Sequence, residues 1–366
     1  MIEFKEVEIA PETSVFSQLS EYQHEQVVFC HDHDTGLKAI IGIHNTVLGP
    51  ALGGTRMWRY ANEAEALRDV LRLSRGMTYK SAISGLNLGG GKAVIIGDSK
   101  KDKSEPLMRR YGRFVNNLNG KYITAEDVGT TTKDMEYIAM ETKYVAGLPE
   151  SMGGTGDPSP VTAYGTYLGM KAAAKKAWGS DSLAGKRVSV QGTGNVGGHL
   201  IDYLAQEGAR VFITDIDQER LKQISARTGA QVVGLDEIYD LDVDIYAPCA
   251  LGATVNDDTL PRLRCQIIAG SANNQLQDEN VHGPELVERG ILYAPDFVIN
   301  AGGIMNVYAE VHGLSRDSAM KQTEHIYDTT LRIFAKAEAE GTHTQLAAMQ
   351  LAQKRIDDIA KIKKTL

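Results

Sequence analysis

Apolar, β-branched runs bounded by turn residues occur at 25–32, "EQVVFCHD", and at 37–45, "LKAIIGIHN", and predict two strands. The period then changes. Over 62–80, "NEAEALRDVLRLSRGMTYK", the positions Leu67, Val70, Leu71, Ser74, Met77 and Thr78 fall on one helical face, and Asn62 and Glu65 have capping-box spacing at its start. Lys80 falls near the C-terminal end of that helix. After three glycines, "KAVIIG" reads as a short buried strand that begins at Lys92. A second helix is predicted from Ser104, with Pro106 in its first turn. Leu107, Tyr111, Phe114, Val115 and Leu118 form its apolar face, and Gly120 ends it. "YITAED" follows as a strand with Asp127 at its C-terminal end.

Residues 147–160, "GLPESMGGTGDPSP", hold four glycines and three prolines and mark a hinge loop. Beyond it a helix over 161–178, a strand over 187–191, a helix from Asn195 and a strand over 210–214 succeed one another. Further strands are expected in "VDIYAPC", "CQIIAGSA" and "ILYAPDFVIN", with helical patterns between them. Such alternation calls for a parallel sheet with helices on both faces. The expected fold is therefore α/β in two domains, a mixed α/β domain over 1–146 and a Rossmann-type domain over 147–330. The charged helices of 331–366 are expected to complete the first domain.

Composition removes several function classes. Of 366 residues, 42% are apolar and 23% charged, and 39 basic against 47 acidic side chains give a net charge of −8. That balance supplies no electrostatic attraction for nucleic acid or an anionic membrane, and no apolar run is long enough to span a bilayer. Cys30, Cys249 and Cys265 are too few and too oddly numbered for a disulfide framework and fit a reducing cytoplasm. The acidic start, "MIEFKEVEIAPET", lacks the order of a signal peptide. A cytoplasmic location is expected.

The segment "VSVQGTGNVGGHLIDYLAQEGARVFITDID" carries chemistry of its own. Gly192, Gly194 and Gly197 form G-x-G-x-x-G directly after a strand and at the opening of a helix, which suits the close approach of a pyrophosphate to a helix N-terminus. Asp215 ends the next strand, 18 residues after Gly197, where a carboxylate accepts hydrogen bonds from ribose hydroxyls and repels a 2′-phosphate. NAD is the expected cofactor.

Lys80 and Lys92 bracket residues 81–91, which hold no other charged side chain. Most lysines are simply solvated, yet Lys92 follows Gly89, Gly90 and Gly91 and leads into an apolar strand. A phosphate loop is ruled out in detail: Leu86 stands where Walker spacing needs glycine, and Ala93 where it needs Ser or Thr.

"LGPALGGTRMW", "MTYKSAISGLNLGGGKAVIIGD", "ITAEDVGTT", "GDPSPVTAYG", "QGTGNVG", "APCALGA", "GSANNQL" and "VINAGG" together resemble the Glu/Leu/Phe/Val amino-acid dehydrogenase superfamily, most closely its leucine branch. The resemblance covers nearly the whole chain. It implies reversible NAD-dependent oxidative deamination of L-leucine and other branched-chain amino acids, with valine or phenylalanine as the sibling alternative. A non-catalytic NAD-binding regulator is disfavoured by the presence of Lys92 and Asp127. By resemblance, Lys92 is the catalytic lysine, Asp127 the carboxylate that handles protons at the amino nitrogen, and Lys80 the clamp for the substrate α-carboxylate. A lysine desolvated beside another cation can be a neutral base near pH 7, and Lys80 is expected to supply that neighbouring charge while pairing with the substrate carboxylate. Leu52, with Gly53 beside it, takes the place of the lysine that reads a γ-carboxylate in glutamate-specific members, so an apolar substrate is implied. Ala125, Ile304 and Val307 match other pocket-lining positions, and Asn300 lies near the substrate.

On the cofactor side the resemblance implies Thr162, the turn Gly192, Thr193, Gly194, Asn195, Val196 and Gly197, then Asp215, Cys249, Ala250 and Asn273. Taken alone, Leu52 reads equally as core, and Thr162, Asn273 and Asn300 as turn or helix-start residues. Cys249 reads as a small buried residue, since no activating histidine adjoins it. "HDHD" at 31–34 lacks a distant partner spacing, so no metal is expected. Family members are typically homo-oligomers, often octamers, and work in a cleft between two domains.

Overall fold

The computed structural model describes residues 14–363, and the acidic start of the chain over 1–13, with the signal-peptide question it raised, lies outside the described residues. The chain divides into two compact units. Among the described residues the first comprises 14–82, 87–154 and 356–363, the second 83–86 and 155–355.

The first unit contains α1 (Val15–Tyr22), β1 (Gln26–Asp32), β2 (Leu37–Asn45), β3 (Ala51–Trp58), α2 (Glu63–Ile83), β4 (Gly89–Ile96), α3 (Glu105–Asn116), β5 (Tyr122–Glu126) and α4 (Thr132–Ala139). Its five strands lie in the order β1-β2-β4-β3-β5. β1, β2 and β4 pair antiparallel, while β4, β3 and β5 run parallel. A strand's side chains alternate between faces, and the two faces here have different partners. Ile40 and Val94 meet Ala66, Leu67, Val70 and Leu71 of α2. Ile41, Met57, Ala93 and Ile95 meet Leu107, Tyr111 and Val115 of α3 and Met135 and Ile138 of α4.

The helix over 62–80 forms as its pattern requires. Asn62 Oδ1 accepts from the Glu65 N–H at 2.9 Å, and Glu65 reaches back to the Ala61 N–H at 2.7 Å. One prediction for this unit needs correction. The strand does not begin at Lys92: Gly89, Gly90 and Gly91 already belong to it, paired with β2 and β3. The reason for glycine at 90 is α2. A Cβ on Gly90 would stand 2.2 Å from the Thr78 amide nitrogen and 2.1 Å from its Oγ1, so only glycine lets the helix lie this close to the sheet.

The second unit contains α5 (Ser159–Trp178), β6 (Arg187–Gln191), α6 (Asn195–Gln206), β7 (Arg210–Thr214), α7 (Gln218–Thr228), β8 (Gln231–Val232), β9 (Ile245–Pro248), β10 (Ile267–Ile268), α8 (Glu279–Glu288), β11 (Leu292–Tyr293), α9 (Asp296–Ile299), α10 (Gly302–Val311), α11 (Arg316–Thr323), α12 (His325–Glu340) and the first part of α13 (Thr344–Lys363), whose residues from 356 on group with the first unit. Its six strands are all parallel in the order β11-β10-β9-β6-β7-β8. The order reverses at β6, the doubly wound arrangement whose switch point lies between the ends of β6 and β9.

Three expectations differ here. "ILYAPDFVIN" yields only a two-residue strand, because Pro295 starts the short helix α9. The units part at 154/155 instead of 146/147. Among the described residues only 356–363 group with the first unit, not the whole tail from 331. α12 buries Ile326, Ile333, Phe334 and Ala337 and packs on α5. The start of α13 is tied down within the second unit by the Thr344 hydroxyl, which donates to the Tyr293 carbonyl at 2.7 Å.

Candidate active site

Period two places the first group of candidates. In the parallel register Leu52 lies beside Gly90 and Ile123, and Arg56 beside Val94. Leu52, Arg56, Lys92, Ala125 and Asp127 therefore stand on the face that carries α2, and Lys80 sits in the last turn of that helix. Gly53 lies on the opposite parity, and its role is packing: a Cβ there would be 1.7 Å from the Gly91 carbonyl oxygen. Leu52 and Ala125 are buried. Lys80 is half-buried.

Lys92 is only 6% exposed. Its Nζ stands 3.0 Å from Asp127 Oδ1. The other oxygen, Oδ2, accepts from Arg56 Nε at 2.9 Å. The Asp127 main chain is pinned as β5 ends, its N–H donating to Thr130 Oγ1 at 3.0 Å while that hydroxyl donates to the Thr55 carbonyl at 2.9 Å. Arg56 is fixed from behind: its Nη1 donates to Asp69 Oδ2 at 3.0 Å, and the Tyr60 hydroxyl donates to the same oxygen at 2.7 Å.

Burial lowers the pKa of Lys92, Asp127 opposes that, Arg56 adds to it, and the ammonium ends below its ordinary value. Burial pushes the Asp127 carboxyl up, but Lys92 and Arg56 outweigh it and hold the carboxyl below the usual range. Arg56, Asp69 and Tyr60 were not foreseen. The available signal was an arginine inside the apolar strand "ALGGTRMW", where a charge is out of place unless it has a buried partner.

The second group gathers at the strand ends of the other unit. Gly192, directly after β6, has φ of +103°, and a Cβ there would meet the Ala250 amide nitrogen at 2.7 Å. Ala250 and Cys249 follow β9, so the turn and these two residues flank the switch point. A Cβ on Gly197 would be 2.1 Å from the Gly192 carbonyl, whereas Gly194, the N-cap of α6, faces open space except for Arg220 Nη1 at 3.8 Å. Asn195 is exposed at the first helical position, Val196 half-buried behind it. This cradle fits a dinucleotide: the glycines that must be bare for packing are packed, and the one that must be bare for a ligand is open.

Asp215 follows β7 and receives the Thr193 N–H at 2.6 Å and its hydroxyl at 3.0 Å on Oδ2, and the Asp217 N–H at 2.9 Å on Oδ1. Burial raises its pKa, but these donors outweigh that and the carboxyl titrates below its ordinary value. Asn300 Nδ2 donates to Asn273 Oδ1 at 2.7 Å and to the Ser271 carbonyl at 3.0 Å, so these two candidates adjoin. Thr162, in the first turn of α5, lies against the start of α10, where a Cβ on Gly303 would be 3.0 Å from its Oγ1. Ile304 and Val307 lie on α10, the former buried and the latter half-buried. Burial raises the Cys249 thiol above its ordinary value, which argues against a nucleophile. At 31–34, His33 and Asp34 are exposed, and Asp32 is engaged by Arg110 at 2.9 Å and Thr35 at 2.7 Å. Among the described residues no helix is long and apolar enough to cross a membrane.

Comparison with known proteins places this geometry. Residues 24–144 match the model of the Glu/Leu/Phe/Val dehydrogenase dimerisation domain, and 153–219 with 212–363 match that of the glutamate/leucine/phenylalanine/valine dehydrogenases. The chain is 56% identical to a leucine dehydrogenase of Thermoactinomyces intermedius over 351 residues, 96% of each chain. It is 49% identical to a valine dehydrogenase of Streptomyces coelicolor over 91% of this chain and 92% of that one. The crystal structure of L-tryptophan dehydrogenase from Nostoc punctiforme superposes with a TM-score of 0.84 at 48% identity, covering 95% of this chain and all of that one. With both family models matched across almost its full length, the chain belongs to the Glu/Leu/Phe/Val dehydrogenase family.

Proposed function

We propose that this amino-acid dehydrogenase oxidatively deaminates L-leucine and other branched-chain L-amino acids, reversibly, to the 2-oxo acid, ammonia and NADH. The observation that carries the chemistry is a buried lysine 3.0 Å from a half-buried aspartate on one sheet face. The leucine preference is supported by identity above half with leucine dehydrogenases over nearly the whole chain, and by the apolar character of Leu52 and Ala125.

In this reading the first unit takes the substrate. Lys80 pairs with its α-carboxylate, while Leu52 and Ala125 meet its side chain. The second unit holds the dinucleotide on Gly192, Thr193, Gly194, Asn195, Val196 and Gly197, with Asp215 at the adenosine ribose and Thr162, Cys249, Ala250 and Asn273 along its length. Bound there, NAD supplies the acceptor for the hydride that leaves Cα. Asp127 takes a proton from the substrate ammonium, leaving the neutral amine from which the hydride departs. Lys92, as neutral amine, takes a proton from the water that adds to the resulting iminium carbon. Asp127 then passes a proton to nitrogen as ammonia leaves. An ionised Asp215 disfavours a 2′-phosphate, which supports NAD over NADP. A homo-oligomer, octameric as in the resemblance, and a cytoplasmic location complete the proposal. The dimerisation-domain match supports the former, and three free thiols the latter.

The test is NADH formation on L-leucine, L-valine, L-phenylalanine and L-glutamate, with NAD and with NADP. Leucine with NAD is expected to lead, with graded losses of ~1–3 kcal/mol per methylene misfit. Lys92→Ala is expected to cost ~10²–10⁴-fold. A preference for glutamate overturns the argument from Leu52.

A further inference from the structure

The proposed base presents a contradiction. Lys92 must lose its proton to act, yet a carboxylate lies 3.0 Å from its Nζ, and an anion at that distance holds a lysine charged. The geometry around Asp127 resolves this. Its two oxygens are divided, Oδ1 to Lys92 and Oδ2 to Arg56. Arg56 is held in turn by Asp69, itself fixed by Tyr60 and by Arg72 Nη2 at 3.3 Å. Arg56, Asp69 and Asp127 are all largely shielded from water, so the charges act on one another with little screening.

We infer that Arg56 is a positioning residue that frees Lys92 to serve as base, by claiming one oxygen of Asp127 and offsetting its charge. This rests on the reading of Lys92 as the base. Arg56 acts through Asp127, to which its Nε donates at 2.9 Å. An arginine suits the task because it never gives up its own proton, and its fork spans two carboxylates at once, Nε to Asp127 and Nη1 to Asp69. A lysine at 56 offers a single point charge and cannot hold both. The arrangement also leaves Asp127 Oδ1 as the oxygen that faces both Lys92 and an incoming amino group. Arg56 thereby holds the carboxylate in one orientation through the turnover, while Asp127 Oδ1 and Lys92 exchange their protons.

The signs follow from electrostatics. Removing the Arg56 charge leaves Asp127 to act on Lys92 alone, so Lys92 holds its proton to higher pH. In Arg56→Gln, kcat/KM is expected to fall at neutral pH, within the ~10²–10⁴-fold that a positioned base contributes, and to recover as pH rises. Arg56→Lys is expected to lie between this variant and wild type. Loss of equal size at every pH, with the ascending limb in place, would mean that Arg56 only supports packing and overturns the inference.

A second measurement does not depend on turnover. The rate at which a small acylating reagent labels Lys92, followed by peptide mass spectrometry across pH, reports its neutral fraction in each variant. An upward shift of the labelling midpoint in Arg56→Gln supports the inference even if no amino acid proves to be a substrate. An unmoved midpoint refutes it even in an active enzyme. Failure of wild type on every amino acid, with the midpoint still shifted, refutes the functional reading alone.

Discussion

Gly90→Ala is the sharpest test of why glycines precede Lys92. The added Cβ would lie 2.2 Å from the Thr78 amide nitrogen, 2.1 Å from Thr78 Oγ1 and 2.5 Å from the Ser74 carbonyl. Two of these three atoms are helix backbone and cannot rotate aside. Non-bonded heavy atoms settle at ~3.5 Å, so α2 must retreat from β4 by about 1.3 Å. Overpacking of this kind costs about 1–3 kcal/mol, which lowers Tm by several degrees in a domain of this size. The functional cost is expected to be larger. Lys80 rides on α2 and Lys92 on β4, so the retreat separates the carboxylate clamp from the base, and a ~1 Å misplacement of reacting groups costs ~10²-fold. Steady-state NADH formation with leucine, together with thermal unfolding, measures both effects. Activity within twofold of wild type at unchanged Tm would refute the claim that the glycine sets the spacing of the two lysines.

Two further outcomes are expected. Asp215→Ala removes the carboxylate that the Thr193 N–H and hydroxyl share. Losing a hydrogen bond to a charged group costs about 1.5–3 kcal/mol, so NAD should bind ~10- to 100-fold more weakly while NADP gains; titration of both cofactors checks it, and an unchanged ratio counts against the assignment. His24 and His44 lie beneath α2, 2.7 Å from Ser74 Oγ and 2.8 Å from Thr78 Oγ1. Burial first, then the charge of His44 on His24 and of Arg75 on both, holds their pKa values at about 3 and about 4 against 6.5. The unfolded chain takes up these protons below pH 6.5 and the folded chain does not, so their stabilising contribution is present above 6.5 and is lost as pH falls through about 4 towards about 3. Urea midpoints are expected to drop across that window, less steeply in His44→Gln; parallel curves would exclude the pair.

Much of the molecule was legible along the chain because its signals are local. Helix α2 with its Asn62 cap, α3 with its Ser104 cap, and β6, the glycine turn and β7 with Asp215 behind them each declare themselves within a few residues, by period and by cap. The motifs around Lys92 and Asp127 single both out, and the fold sets their side chains 3.0 Å apart. What was missed lies where tertiary contact overrides local preference. The strand reads as beginning at Lys92, yet the three glycines before it already belong to it, with α2 pressed against Gly90. "ILYAPDFVIN" reads as a strand, yet turns into a helix at Pro295. The tail reads as free to join the first domain, yet most of it packs against α5 and its surroundings.

The sequence by itself determined the residue types and the order of elements, since hydrophobic period and turn chemistry act over short stretches. Only the tertiary structure decided which charges meet. Arg56 and Asp127 are 71 residues apart, Arg56 and Asp69 thirteen. No local rule joins them. Their meeting depends on β3 lying between β4 and β5 and on α2 covering that face, and it is this placement that buries Lys92 and brings the charges of Asp127, Arg56 and Asp69 to bear on it.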